Sequence, residues 1–118
     1  MSQVKVSRVL EDVDRFVPNQ YTEEQKRHWL MQAEAFAAQA VGAQMPPEMP
    51  DDNYRLLVEV PYDNLYCRYV EAQIWYALGE MTQYNNAMAA WNELLLTWRD
   101  YCARGGAAAQ RVTALKLC

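Results

Sequence analysis

The residue types that do chemistry near neutral pH are scarce in this chain. His28 is the single histidine and the single side chain that titrates near neutrality unperturbed. It stands beside Lys26 and Arg27, in a polar stretch that places it at a solvated surface. The three cysteines, Cys67, Cys102 and Cys118, are widely spaced and form no CxxC pair. With one histidine beside them, a zinc site has too few ligands. An odd, scattered set also points to a reducing cytosol rather than an oxidising compartment. Asp51 and Asp52 are adjacent carboxylates, but Pro50-Asp51-Asp52-Asn53 is turn chemistry rather than a general acid–base pair. No Gly-rich phosphate loop, GxSxG elbow or HExxH pair occurs. Catalysis needs a nucleophile, a base and a stabiliser in one place. The sequence offers no such set, so the expectation is a protein that is no enzyme and uses no cofactor or metal.

Composition points toward contact instead. The 118 residues and 13.7 kDa suit one domain. A monomer of this mass keeps about 6,600 Å² exposed out of about 20,000 Å² in the extended chain, enough burial for a core without staples. Hydrophobic residues make up 52% against 22% charged, and Tyr (8) and Trp (4) outnumber Phe (2). Such amphipathic aromatics are favoured at interfaces. No apolar run approaches the roughly 20 residues of a membrane span, and Met1-Ser2-Gln3-Val4-Lys5 lacks the order of a signal peptide. The net charge of −4 disfavours a phosphate-gripping role. From Arg99 onward, however, four basic residues face only Asp100, a local +3 that leaves −7 for the rest. A basic tail on an acidic body either meets a partner or is simply a solvated helix end with a loose terminus.

The elements that would position these residues are mostly helical. Val6, Val9, Leu10, Val13, Phe16 and Val17 give residues 3–17 an amphipathic stripe, and Pro18 ends it. Thr22-Glu23-Glu24-Gln25 is a capping box for a second helix that runs to Val41, with Gly42 as its C-cap. From Ala43 to Pro61 proline and turn residues dominate. Inside that loop Leu56, Val58 and Val60 alternate as a short strand, which must pair within its loop, with the C-terminal segment, or with another chain. A third helix opens at Pro61-Tyr62-Asp63, Asp63 capping it and Tyr62 stapling it. Leu65, Tyr69, Ala72 and Tyr76 lie on one face, Tyr62 and Tyr66 at its edge, and Cys67, Ile74 and Leu78 opposite. A helix apolar on two faces is buried on two faces. Gly79-Glu80 turns the chain into a fourth helix to Arg104, striped by Met81, Tyr84, Met88, Trp91, Leu95, Trp98 and Cys102. Gly105-Gly106 stops it, and residues 106–118 read as a semi-extended arm. The expected fold is mostly α: a four-helix domain over 1–105 with a helical hairpin, one long Pro-rich loop (43–61) carrying a short strand, and a C-terminal arm.

The densest constellation runs from Pro61 to Asn92: Pro61-Tyr62-Asp63…Leu65-Tyr66, Glu71-Ala72, Gly79-Glu80, then Tyr84-Asn85-Asn86-x-Met88-Ala89…Asn92. Asn85, Asn86 and Asn92 are poor helix formers placed mid-helix. Their cost implies a compensating hydrogen bond, within the fold or across an interface. These residues resemble a small phage and prophage family, the head–tail connector (head-completion adaptor) proteins of long-tailed phages. The resemblance covers Pro61 to Arg104, with the first 42 residues matched by helix order.

The resemblance implies a helical adaptor that docks as a ring of about twelve copies beneath the portal, while often monomeric when free. Its implied partners are other copies of itself, the portal protein and the next head-completion or tail-terminator protein. DNA would only pass through the channel, and no membrane is involved. Its implied place is the virion's head–tail junction, with host cytoplasm during assembly. Contact residues expected on this basis are Tyr62, Tyr66, Asn85 and Asn86, with Arg111, Val112, Leu115 and Lys116 on the arm. The residues equally allow a cytosolic helical regulator, a small homodimer with one protein partner.

Overall fold

The computed structural model describes residues 3–17, 19–47 and 49–105. The expected arm, with Arg111, Val112, Leu115 and Lys116, lies outside the described residues. The element order is β1 (Gln3–Lys5), α1 (Val6–Phe16), α2 (Glu23–Val41), β2 (Arg55–Glu59), α3 (Asn64–Ala77) and α4 (Met81–Ala103). The architecture is mostly α, as the periodicity predicts.

Helix ends follow local chemistry. Thr22 Oγ1 accepts from the Gln25 N–H at 3.1 Å and so caps α2. Gly42 closes α2 in the left-handed conformation, φ 73°. Gly79, at φ 79°, makes the reversal between α3 and α4. A Cβ built there would meet nothing within 4 Å, so Gly79→Ala is expected to cost about 1–2 kcal/mol from backbone strain alone. A urea titration measures it, and a neutral result would mean that the corner relaxes to negative φ. Asp63 departs from expectation: it is itself in the helical region and makes no cap bond. The turn is tied instead through the backbone, Tyr62 N–H to Glu59 O at 2.9 Å and Tyr66 N–H to Asp63 O at 3.1 Å.

The first helix also begins later than its stripe implies. Gln3–Lys5 is a strand, antiparallel to β2, with Gln3 opposite Glu59 and Lys5 opposite Arg55 around a bulge. The partner of β2 is thus the N-terminal segment, none of the three expected. The reason lies at Lys5, whose extended backbone precedes α1. Val6 and Ser7 donate their N–H groups to the carbonyls of Tyr54 and Asp52 at 3.1 and 3.2 Å. Backbone from the β2 approach therefore serves the orphan donors of α1 that a side-chain cap would otherwise serve.

The core gathers Val6, Val9, Leu10 and Val13 of α1, Leu30, Ala33 and Ala37 of α2, Leu56 and Val58 of β2, Leu65, Val70 and Ile74 of α3, and Trp91, Trp98 and Cys102 of α4. Helix α3 is central. It packs along α4 as an antiparallel hairpin and also meets α2 and α1. Its two apolar faces are therefore covered within one copy as far as Ile74, while Tyr76 and Leu78, at the far ends of those faces, stay exposed. The total accessible surface, 6764 Å², matches the roughly 6,600 Å² of an ordinary monomer of this mass. Large apolar side chains stay exposed at the hairpin corner, where Tyr76 (59% exposed), Leu78 (53%) and Met81 (47%) face solvent, and singly elsewhere, as at Phe16 (68%) and Leu96 (49%).

Candidate contact surfaces

The residues expected to make contacts divide sharply by position. Tyr66 is wholly buried, which removes it from the surface of this chain. Its hydroxyl accepts from the Val58 N–H at 2.8 Å and donates to Glu34 Oε1 at 2.6 Å, while Glu34 Oε2 accepts from the Leu57 N–H at 2.9 Å. Two amides of β2 are thus satisfied by side chains of α2 and α3 instead of by another strand. Burial, and then the charge of Glu34, push the Tyr66 phenol well above its usual range, which keeps it a proton donor. Glu34 went unnoticed in the sequence, yet a signal existed. It lies four residues from both Leu30 and Ala38, on the stripe that faces the core.

Tyr62 is half-buried and packs against Tyr101, ring centroids 5.1 Å apart. Asn85 and Asn86 stand exposed in the first turns of α4. Among the described residues they make no side-chain hydrogen bond, so the expected compensating bond is not found within the described fold.

An apolar groove lies between α2 and α4 and is floored by α3. Its volume is about 530 Å³, and its walls are Phe36, Tyr69, Tyr84, Met88, Trp91 and Leu95. Phe36 and Tyr69 stand 6.0 Å apart, and Tyr69 and Trp91 meet edge-on at 5.0 Å. Tyr69 is fixed by its hydroxyl donating to Gln32 Oε1 at 3.2 Å. Sequence periodicity assigns Met88, Trp91 and Leu95 to the core, and only Trp91 of the three is buried. Helix α2 approaches α4 too loosely to close the gap above them.

A second groove of about 470 Å³ runs between α1 and α3, lined by Asp12, Phe16, Cys67, Arg68, Glu71 and Trp75 among others. Burial first, then Glu71, Asp12 and Asp63, push the Cys67 thiol up to about 12. It is a neutral thiol at neutral pH and a poor nucleophile. Glu71 is raised from 4.5 by burial, opposed by Arg68, whose Nη1 lies 3.0 Å from Glu71 Oε1. A carboxyl raised in the native state opposes folding above that raised pKa and stops doing so as pH falls through it. Glu71→Gln keeps an acceptor for Arg68. At pH 7 it is expected to unfold at higher urea than the parent, the gap closing as acid protonates Glu71. A lower midpoint at pH 7 would mean that the pair with Arg68 outweighs the desolvation.

The remaining chemistry-bearing residues are structural in their geometry. His28 is exposed, its Nε2 3.5 Å from the Gln32 amide nitrogen. Asp51 accepts from the Asn53 N–H at 3.0 Å, a turn contact, and Asp52 pairs with Arg27. Among the described residues no group of His, Cys, Asp or Glu could hold a metal ion, and no helix is long and apolar enough to cross a membrane. Comparison with protein-family models, curated proteins and solved structures finds no match to this chain.

Proposed function

We propose that this chain is a structural adaptor of a phage or prophage virion, a head–tail connector that forms a ring beneath the portal and acts by protein contact without catalysis. The observation that carries this reading is the hairpin corner. Tyr76, Leu78 and Met81 are its exposed apolar residues, and Tyr76 stacks on Tyr84 at 5.1 Å. They fall within the Pro61–Asn92 run that resembles the connector family. Large apolar side chains grouped at one rigid corner suit docking, since little order is lost there on binding. Head-to-tail contact between copies closes a ring when the rotation per copy permits. The basic arm, with Arg111, Val112, Leu115 and Lys116, would engage the portal or the neighbouring copy, and the acidic body would let DNA pass without adhering.

The test is sedimentation of the full chain, alone and with the portal protein encoded in the same genome. The expected result is a monomer when alone and a ring bound to the portal when mixed, the binding lost in a Leu78→Asp, Met81→Asp variant. A stable dimer that ignores the portal overturns the adaptor reading and favours the homodimeric regulator.

A further inference from the structure

The groove between α2 and α4 is an apolar recess of about 530 Å³, and the chain itself carries a segment matched to it. Helix α4 ends at Ala103, and Gly105 takes φ 88°. A Cβ at Gly105 would meet nothing within 4 Å, so glycine answers a conformational need there and not a spatial one. A left-handed residue just past a helix end turns the chain back on itself. Beyond it stand residues 106–118, in which Ala108, Val112 and Leu115 recur at the i, i+4, i+7 spacing of one helical face. The polar Gln110, Arg111 and Thr113 fall between them, and Lys116 follows.

Length fits as well as pattern. Leu95, at the near end of the groove, lies eight residues before Ala103, about 12 Å along the helix axis. A helical segment that starts at Ala107 and runs antiparallel to α4 brings Leu115 back the same distance, about 12 Å, level with Leu95. The groove lining names no charged side chain: beside its apolar walls stand Gln39, Gln73 and Asn92. It therefore suits Leu115, with Val112 about one turn short of it along α4. Tethering through two glycines presents the segment at the millimolar effective concentration of a short linker, ahead of any free partner.

We propose that the C-terminal segment 106–118 docks in the α2–α4 groove of its own chain. The proposal goes beyond the adaptor reading and stands without it. In an adaptor the docked arm would be withheld, so that leaving the groove frees the arm and the recess together.

The full-length chain provides its own probe. Cys102 is buried, and with Cys67, which lines the α1–α3 groove, changed to serine (Cys67→Ser) a nitroxide thiol reagent marks Cys118. The expected result is loss of most of the Met88 and Leu95 methyl signal intensity, with Val9 and Val13 of α1 unaffected. The intensity returns when the nitroxide is reduced, and also in a Leu115→Asp variant, which alters no core residue. A sample mixing nitroxide-bearing chains with separate isotope-labelled ones should show no loss. Unchanged Met88 and Leu95 signals overturn the proposal. So does a loss that persists in Leu115→Asp, or one that appears in the mixed sample, which would place the segment in another copy's groove.

Discussion

Glu34→Ala is expected to lower the unfolding free energy by about 3 kcal/mol, because two buried donors lose their acceptor and each orphan costs about 1–3 kcal/mol. The donors are the Leu57 N–H and the Tyr66 hydroxyl, at 2.9 and 2.6 Å. In a domain whose total stability is on the order of 5–15 kcal/mol, that is a large fraction. Urea unfolding measures the loss. Hydrogen exchange locates it, since the Leu57 amide should lose protection before the amides of α4. Glu34→Gln keeps one acceptor oxygen and should lose clearly less. If alanine and glutamine proved equally mild, water would be serving both donors, and the carboxylate would not be what fastens β2 to the helices.

Trp98→Ala should be at least as damaging, at about 3–5 kcal/mol. Trp98 is the largest fully buried side chain of the described residues, and its removal empties part of the core. At about 4 °C per kcal/mol for a domain of this size, the midpoint of thermal unfolding should fall by roughly 12–20 °C. Trp98→Phe offers a sharper comparison. Among the described residues the indole Nε1 is buried with no hydrogen-bond partner, so phenylalanine loses volume but also removes an unsatisfied donor. It should be much milder than alanine. A phenylalanine variant as unstable as the alanine one would show that the indole shape, rather than its bulk, holds this part of the core.

Much of the framework was legible because its signals are local. Thr22 before Glu23, Gly42 after Val41, and Gly79 between two apolar stripes each act within one turn of chain, and each lies where a helix starts or stops. The strand Arg55–Glu59 was legible from alternation, but its partner was not. Val4 and Val6 fit a strand and a helix alike, and only a contact across more than fifty residues decides between them. Tyr66 was misplaced for a related reason. A tyrosine at the edge of an apolar face is equally suited to surface or core until its hydroxyl meets a partner, and Glu34 is 32 positions away. The groove was illegible because it is a property of the spacing between α2 and α4. Periodicity says which side of each helix faces inward and is silent on how closely the two approach.

The pairing of β1 with β2 also bears on how the chain folds. The first strand has its mate only when residues as far along the chain as Glu59 are present. The same holds for helix α1, since the carbonyls that serve its opening turn belong to Asp52 and Tyr54. The start of α1 and its strand are therefore fastened by contacts across about fifty residues, whereas α3 and α4 join through one short corner, a local contact of the kind that forms fast.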